Sequence, residues 1–464
     1  MTTLVNFEII LLVNDLFTAS SKPVRKGVAS MAKYISLEEA LALVQSGDYI
    51  VSGLGTAEAK VFMTNLHTIA DRVHQVTVSN CLPMADYEYM VNPDYQSSFF
   101  TESWFYTAPM RKAHAVGNGS YLFNHLRQIA SKRLAHRKPN IYVGMATPPD
   151  KHGYVSLSVS NVYETMMIEA ADTVILEVNP QAPRTFGDVQ LHVRDIDYLM
   201  EASYPVPVLP DAEPNEKDMI IGKLIAEQIH DGDCIQLGIG GIPNAVAASL
   251  MDKNDLGIHT EMLTTGMAKL AKAGVITNKY KKIHRGKSVT AFVMGTQELY
   301  DFVDDNPGVA VMSAAYVNDP WVIAQNDNQV SINSTLEIDL FGQCCSEAIG
   351  SRMFSGTGGQ SDTAIGAQMS KGGRSFIASY STAMVKDKAT GERVETSKIV
   401  STLKPGAAVS LSRNDVDWIV TEYGAVNLRG TSMDERARML ISVAHPDFRE
   451  QLTREAIELG IMRA

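Results

Sequence analysis

Short runs of apolar and β-branched residues alternate along this chain with amphipathic stretches. In the stretch 220–229, Ile220, Ile221, Leu224 and Ile225 recur at helical spacing. Buried strands alternating with helices predict α/β layers with mostly parallel sheets. The predicted strands are Val76–Ser79, Ile141–Met145, Thr173–Val178, Cys234–Leu237, Val289–Met294, Val309–Met312 and Ile419–Thr421. The predicted helices are Leu37–Val44, Tyr121–Leu134, Ile220–Ile229, Asn244–Met251 and Met433–Val443.

An internal repeat divides the chain into two related halves. The ten residues from Ser46 to Gly55 and those from Asp231 to Gly240 share the pattern x-Gly-Asp-x-Ile-x-x-Gly-x-Gly, at a constant offset (232 − 47 = 185). Each copy follows a predicted helix, so the unit is helix, Gly-Asp turn, short strand and glycine loop. Repeats of solenoid proteins recur every 20–50 residues or so. The longer offset here therefore predicts a duplicated domain.

The sequence also predicts where the domains begin and end. The segment from Tyr204 to Pro214 carries four prolines in eleven residues, which is typical of an extended linker. Residues 1–30 lack clear periodicity and are expected to be a disordered extension. We therefore predict an N-terminal domain over residues 31–204, a linker over 205–215 and a C-terminal domain over 216–464.

Composition narrows the function classes. The 464 residues carry a net charge of −11 and no long basic run, which disfavours nucleic acid and anionic membranes as partners. No segment has the roughly 18 consecutive apolar residues of a membrane helix. The four cysteines include no Cys-x-x-Cys pair and are expected to be reduced, buried thiols, as in a cytoplasmic protein. Whether the chain forms a homo-oligomer stays open.

One carboxylate stands near a loop rich in backbone N–H groups. The loop Gly238-Ile239-Gly240-Gly241-Ile242-Pro243 follows a predicted strand, and Glu261 comes twenty residues after Gly241 (261 − 241 = 20). A carboxylate can attack an acyl group while N–H groups hold the oxyanion, without serine, cysteine or metal. With an ordinary pKa of about 4.3, Glu261 is expected to be ionised at pH 7 and to need no general base.

Other readings of these motifs are weaker. The loop is not a dinucleotide fingerprint, because Pro243 stands at the third glycine position. His259 and Glu261 form an H-x-E, as in zinc deaminases, but the P-C-x-x-C that those enzymes need downstream is missing. We therefore predict no metal site. The ordinary alternatives are a tight strand-to-helix turn for the loop and a solvated surface side chain for the glutamate.

A second glycine cluster lies further along the chain. The segment Phe354-Ser355-Gly356-Thr357-Gly358-Gly359-Gln360-Ser361-Asp362 is not a Walker loop, because no Gly-Lys-Ser/Thr closes it. Together with the Gly238 loop and Glu261, it resembles the glutamate-dependent, family I coenzyme A transferases of the acetyl-CoA hydrolase/transferase family. The branch it resembles most contains 4-hydroxybutyrate and butyryl-CoA:acetate CoA-transferases. Thr363 departs from the phenylalanine usual there, which leaves the local shape of the CoA channel in question.

The resemblance extends from about Tyr34 to Phe448, through Tyr142–Tyr154 and Val420–Gly424. It implies two NagB/RpiA/CoA-transferase-like domains with the active site between them. It also implies ping-pong CoA transfer from butyryl- or 4-hydroxybutyryl-CoA to a carboxylate such as acetate, through a glutamyl-CoA thioester. Coenzyme A is then a substrate and covalent intermediate, and no cofactor is permanently bound.

The resemblance also implies roles for single residues. Glu261 is the expected nucleophile, with Gly240 and Gly241 as oxyanion donors. Contacts with CoA are expected from two segments and one lysine: Gly238, Ile239, Gly240, Gly241, Ile242, Gly356, Gly358, Gly359, Gln360 and Lys386. The rival functions are an acyl-CoA hydrolase on the same scaffold and a non-catalytic effector-binding domain. The acidic charge and the lack of an apparent helix-turn-helix disfavour the second rival.

Overall fold

The computed structural model of the protein describes residues 32–386 and 390–463. The predicted extension over residues 1–30 therefore lies outside the described residues. The fold contains two large, mostly parallel sheets. The strands of the first half are, in chain order, β1 (Lys33–Tyr34), β2 (Tyr49–Ser52), β3 (Val76–Asn80), β4 (Phe99–Ser103), β5 (Gly119–Tyr121), β6 (Ile141–Ala146), β7 (Tyr154–Ser156), β8 (Thr173–Val178), β9 (Phe186–Gly187), β10 (Gln190–His192) and β11 (Tyr198–Glu201).

The second half contributes the remaining strands. Those that belong to the second large sheet are buried along most of their length. In chain order, the strands are β12 (Cys234–Leu237), β13 (Gly257–Leu263), β14 (Ser288–Val293), β15 (Val309–Val311), β16 (Gln329–Ser334), β17 (Glu337–Asp339), β18 (Cys344–Cys345), β19 (Ala348–Ile349), β20 (Arg352–Met353), β21 (Arg374–Ala378), β22 (Thr382–Lys386), β23 (Arg393–Ser397), β24 (Ile399–Val400), β25 (Trp418–Thr421) and β26 (Gly424–Asn427).

Seven consecutive strands follow the same order in the two large sheets, as the internal repeat predicts, but the edges differ, since β1 is parallel to β11 and β26 is antiparallel to β25. The first has the order β1-β11-β8-β6-β2-β3-β4-β5, and the second β26-β25-β21-β16-β12-β13-β14-β15-β9. The repeated strands β2 and β12 occupy matching positions, because β2 lies between β3 and β6 and β12 lies between β13 and β16. Strand β9 lies in the first half of the sequence but pairs with β15 and so extends the second sheet. The two halves are therefore connected by sheet pairing.

The helices cover the sheets and place their hydrophobic faces in three cores. They are Leu37–Ala42, Lys60–Asn65, Glu88–Val91, Ala108–Ala115, Ile129–His136, Glu164–Ala170, Glu216–Ala226, Gly241–Ala248, Thr265–Lys272, Gln297–Val303, Ala314–Val317, Pro320–Ile323, Gln360–Met369, Met433–Ser442 and Pro446–Glu458. Within the described part of the chain, none of these helices is long and apolar enough to span a bilayer.

Most predicted elements exist at nearly the predicted bounds, but one predicted helix is wrong at its start. Tyr121 ends strand β5, and the helix begins only at Ile129, after a 3₁₀ turn over Leu126–Gln128. Tyr121 and Leu126 instead form hydrogen bonds with the second half of the chain. The helix predicted at Asn244 begins earlier, at Gly241, because a glycine in a left-handed conformation (Gly240, φ 113°) already turns the chain into it.

Capping boxes begin three of the helices. Ser36 with Glu39, Asn215 with Asp218, and Ser432 with Glu435 exchange side-chain and backbone hydrogen bonds. All four cysteines are free and buried, which confirms the sequence prediction.

Candidate active site

Glu261 lies near the carboxyl end of β13, a central strand of the second sheet. This strand pairs in parallel with β12 on one side and β14 on the other. Ile235 pairs with Ile258, and beyond this pair β12 leads to Gly238 while β13 leads to Glu261. The carboxyl edge of a parallel sheet is where ligands bind in open α/β folds. The strand thus brings the predicted nucleophile to the start of the glycine loop.

Asn318 and Gly359 hold the Glu261 side chain in place. The Asn318 Nδ2 group donates a hydrogen bond of 2.6 Å to Glu261 Oε2, and the backbone N–H of Gly359 donates a second one. The Glu261 side chain is partly buried, whereas Asn318 is fully buried. Two donors fix the orientation of the Glu261 carboxylate, and nucleophilic catalysis requires such a fixed orientation.

The ionisation of Glu261 differs from the sequence expectation. Burial raises the pKa of its carboxyl to about 7, and the nearby Asp362 adds to the rise, while the hydrogen bonds from Asn318 and Gly359 oppose it. The ordinary pKa of an isolated glutamate does not apply here, because a carboxylate loses hydration in the protein interior. At neutral pH the group is therefore divided between its ionised and protonated forms.

The segment Gly356–Gln360 lies beside Glu261 and between the two halves. A Cβ on Gly359 would overlap Glu261 Oε2 and Asn318 Nδ2, and one on Gly358 would lie 3.6 Å from Glu261 Oε1. Gly356 instead faces Phe105 and the Trp104 carbonyl of the first half. Gln360 donates to the Ser334 carbonyl at 3.0 Å. Of the predicted residues of this segment, Gly358 and Gly359 are thus the ones in contact with Glu261.

Hydrogen bonds to the first half fix this segment. The Thr357 N–H donates to the Tyr121 hydroxyl at 3.1 Å, and the Leu126 N–H donates to the Gly358 carbonyl at 3.0 Å. The first half therefore determines where the backbone that contacts Glu261 lies. This arrangement explains why the residues after Tyr121 are extended rather than helical.

The Gly238–Ile242 loop surrounds the start of the helix Gly241–Ala248. The Asn244 N–H donates to the Gly240 carbonyl at 3.1 Å, which closes the first turn. The N–H groups of Gly241 and Ile242 precede that bond, at positions where a helix has no internal acceptor for them. They are thus available to an oxyanion at the sheet edge, although the structure describes no contact between them and Glu261.

Gly241 has a structural role that the sequence did not indicate. A Cβ at this position would overlap the carboxylate of Asp218, the residue whose side chain forms the capping box with Asn215. A larger side chain at Gly241 would therefore meet Asp218, in the helix that precedes this loop in the chain. In the structure its first effect is to push apart two packed helices.

An ion pair between the halves stands next to the site. Arg127 Nε of the first half donates to Asp362 Oδ1 at 2.9 Å. Burial raises the pKa of Asp362 to about 7, and the Arg127 guanidinium opposes this shift. Asp362 in turn raises the pKa of Glu261, so the two carboxyls influence each other's protonation.

Lys386 is not brought to this site by any contact described. Lys386 is the last residue of β22, the first strand of an exposed hairpin, and it pairs there with Arg393 of β23. Its predicted role toward a CoA phosphate therefore rests on the sequence resemblance alone.

His259 is no metal ligand in this arrangement. Its ring Nε2 lies 2.8 Å from the Val317 carbonyl, and it is buried. Across residues 32–386 and 390–463, no group of three or more His, Cys, Asp or Glu side chains is placed to hold a metal ion.

No role was predicted from the sequence for Asn318, Asp362 or Arg127. Asn318 follows the short helix Ala314–Val317, in a region with no motif around it. Asp362 stands inside the second glycine segment, so its position in that motif was the available signal. Arg127 reaches the site from the other half of the chain, and such a long-range pairing leaves no local pattern.

Family models give the decisive comparison. The N-terminal domain model of the acetyl-CoA hydrolase/transferase family matches residues 26–210, and the C-terminal domain model of the same family matches residues 295–456. The chain belongs to the acetyl-CoA hydrolase/transferase family. This membership confirms the resemblance, the fold class and the CoA-transferase class of enzyme inferred from the sequence.

Relatives of this family match nearly the whole chain. The 4-hydroxybutyrate coenzyme A transferase of Clostridium kluyveri is 41% identical over 91% of this chain and 97% of its own length. The succinyl-CoA:cyclohexane-1-carboxylate CoA transferase of Geobacter metallireducens is 39% identical over 91% of this chain and 95% of its own length. The crystal structure of RipA from Yersinia pestis superposes with a TM-score of 0.84 at 36% identity, covering 93% of this chain and 98% of RipA.

Proposed function

We propose that this family member transfers CoA from a short-chain acyl-CoA, such as butyryl- or 4-hydroxybutyryl-CoA, to a carboxylate such as acetate. The observation that carries the proposal is the placement of Glu261. Its carboxylate lies at the carboxyl edge of the second sheet, between the amide of Asn318 and the backbone of Gly359, and faces the first half. Nothing else is needed for nucleophilic attack on a thioester once the group is ionised.

The reaction proceeds in two balanced halves. A Glu261 oxygen attacks the thioester carbonyl of the donor, the C–S bond breaks, and an acyl-glutamyl anhydride and CoA thiolate result. The thiolate then attacks the glutamyl carbonyl, which releases the donor acid as its carboxylate and leaves a glutamyl-CoA thioester. The acceptor carboxylate attacks that thioester and reverses both steps, so that a new acyl-CoA leaves and the Glu261 carboxylate is regenerated.

Backbone N–H groups supply the oxyanion stabilisation. The N–H groups at Gly240, Gly241 and Ile242 stand at the start of a helix, where negative charge is favoured. The Gly359 N–H already donates to Glu261. A donor fixed in place costs no reorganisation as negative charge develops, and removing one such donor typically costs about 10²–10³ in kcat.

The CoA chain is assigned to the channel beside the second glycine segment. Gly356, Gly358 and Gly359 let Phe105 and Glu261 approach the backbone of that segment closely, and Gln360 with the Gly238–Ile242 loop completes the proposed CoA contacts. Lys386 is retained as a contact for a CoA phosphate. The four free, buried thiols fit a reducing, cytoplasmic setting.

Substitution of Glu261 tests the nucleophile. Glu261→Ala removes the attacking oxygen, so CoA exchange is expected to fall to background. Glu261→Asp retains the carboxylate but withdraws it by one methylene, and a misplacement of about 1 Å costs on the order of 10²-fold. The matched control is Glu298→Gln, which removes an exposed carboxylate that pairs with Lys272. Exchange rates are measured with a panel of acyl-CoA donors and acetate. Near-normal exchange by Glu261→Ala would refute the proposal.

Hydrolysis is the alternative, because the matching family includes acetyl-CoA hydrolases as well as transferases. In that case water replaces the acceptor carboxylate in the last step. Measuring thioester loss with and without acetate separates the two functions. Transfer requires that acyl-CoA consumption depend on the acceptor and that initial-rate plots run parallel. Consumption independent of any carboxylate would favour the hydrolase.

A further inference from the structure

His259 and Glu261 are two residues apart on β13, so their side chains leave the strand on the same face. Glu261 contacts Asn318 through its carboxylate, and His259 contacts the residue immediately before Asn318. The two contacts therefore converge on a single short segment, the end of the helix Ala314–Val317.

The contact of His259 is made with a carbonyl that needs a donor. The His259 Nε2 atom lies 2.8 Å from the carbonyl oxygen of Val317, the last residue of that helix. A carbonyl only accepts, so Nε2 carries the proton. Carbonyls of the last helical turn have no partner within the helix, and a buried one requires another donor. His259 supplies it.

Asn318 is held from two sides. Its backbone N–H donates to the Ala314 carbonyl at 3.0 Å, while the peptide that precedes it is held by His259. Its Nδ2 group donates a hydrogen bond of 2.6 Å to Glu261 Oε2. Asn318 is fully buried, so the amide has little freedom to find another arrangement.

We propose that His259 is a positioning residue that holds the Val317–Asn318 segment so that the Asn318 amide stays on the Glu261 carboxylate. This inference rests on the proposed function, in which Glu261 must be ionised and aimed. His259 touches no reacting atom in this account. It acts through the Val317 carbonyl and then through Asn318.

The charged groups around both residues decide what a pH profile reports. Asp362, paired with Arg127, and the buried Cys81 interact electrostatically with Glu261. Lys281 and His284 face His259. Burial, with the charge of Lys281, lowers the pKa of His259 to about 3. His259 therefore stays neutral over the working range, and the acid limb near pH 7 reports on Glu261 and its coupled neighbour Asp362.

Two substitutions of similar polarity separate positioning from packing. The amide nitrogen of glutamine in His259→Gln reaches the place of Nε2, whereas the shorter amide in His259→Asn does not. Losing the Asn318 donor raises the pKa of Glu261, because a hydrogen bond to the ionised form is removed. Asn318→Ala is expected to move the acid limb of kcat/KM upward by about one pH unit. His259→Asn moves it in the same direction, and His259→Gln restores it.

A double substitution tests whether the two residues act in series. Adding His259→Asn to Asn318→Ala is expected to shift the limb no further than Asn318→Ala alone, within about 0.3 pH unit. The matched control is Thr260→Val, which removes a buried hydroxyl on the opposite face of the same strand. We expect Thr260→Val to lower the melting temperature but to leave the acid limb of kcat/KM at the same pH.

A direct titration distinguishes failure of this inference from failure of the proposed function. The pH-dependent infrared carboxyl band that disappears in Glu261→Gln reports the ionisation of Glu261 whether or not it is the nucleophile. The inference requires this band to titrate at higher pH in His259→Asn than in wild type. It is overturned if the band and the limb do not move, if they move equally in Thr260→Val, or if the shifts of the double variant add. A shifted band in a protein whose Glu261→Ala form stays active would overturn the nucleophile instead.

Discussion

The two sheets share a scaffold, but they carry different side chains at the position of the proposed nucleophile, Glu261. Tyr49 pairs with Thr77 in the first sheet as Cys234 pairs with Gly257 in the second. The internal repeat aligns Tyr49 with Cys234, so four residues further along the partner strands Cys81 corresponds to Glu261. Cys81 is fully buried and Glu261 only partly so. Duplication therefore produced two equivalent strand ends, of which one presents a carboxylate.

The same physical effect has opposite consequences at the two positions. Burial raises the pKa of the Cys81 thiol well above its usual range, and nearby carboxylates including Glu261 add to the rise. The thiolate is the nucleophilic form, so this cysteine is inert. Burial raises the pKa of Glu261 only to about 7, since two hydrogen bonds stabilise its ionised form. Under the proposed function, the hydrogen-bond donors around Glu261 keep part of this carboxyl ionised at neutral pH, whereas the buried thiol stays protonated.

A methyl group added beside Glu261 is expected to have the largest effect, because it would displace the carboxylate that distinguishes the second sheet from the first. In Gly359→Ala the new Cβ overlaps Glu261 Oε2 and Asn318 Nδ2, so both must move. We expect kcat to fall by about 10²-fold or more, with the fold retained. Steady-state exchange assays and thermal melting measure the two effects. In Gly238→Ala the nearest atoms to the new Cβ are 3.8 Å away, so a much smaller loss of kcat is expected, and any effect on the proposed CoA contact falls on KM. Equal losses would contradict the account.

Lowering the pH should make the two strand ends more alike, because it protonates Glu261. With a pKa raised to about 7, the Glu261 carboxyl is mostly protonated at lower pH and mostly ionised at higher pH. We predict that kcat/KM for the acyl-CoA rises about tenfold per unit up to pH 7 and levels off above it. A stopped assay between pH 5 and 9 checks this. An acid limb centred near pH 4.5 would mean that Glu261 keeps an ordinary carboxyl pKa.

A methyl group at Gly241 should affect stability more than chemistry. In Gly241→Ala the new Cβ overlaps the Asp218 carboxylate, and crowding of a packed contact costs about 1–3 kcal/mol. We expect a lower melting temperature and a kcat within a few-fold of wild type below the transition. This result would distinguish the two glycine segments, since substitution at Gly359 lowers kcat and substitution at Gly241 lowers stability. A large loss of kcat at unchanged stability would instead assign Gly241 a direct catalytic contact.

The sequence predicted much of this fold for identifiable reasons. The apolar runs from Ile141 and Thr173 are buried on both faces of a parallel sheet, and this environment gives a continuous hydrophobic signal. The strands β13 and β16 were missed because polar residues such as Thr260, Gln329 and Ser331 interrupt them. These polar side chains are buried and make hydrogen bonds that form only in the folded protein.

The site was predicted unevenly for a related reason. Glu261 and the two glycine segments have local motifs, so the resemblance identified them. Asn318 acts across 57 residues and Arg127 across 235, distances over which the sequence carries no visible pattern. The raised pKa of Glu261 depends on those long-range neighbours and on burial. Its ionisation therefore could not be predicted before the contacts were known.

Trapping the covalent intermediate tests the central claim, that Glu261 and not its counterpart Cys81 carries CoA. The enzyme is incubated with acyl-CoA alone, reduced with borohydride, digested and mapped by mass spectrometry. The account predicts a CoA-dependent modification on Glu261 that is retained in Cys81→Ala and lost in Glu261→Ala. A modification on Cys81, or one that survives in Glu261→Ala, would contradict it.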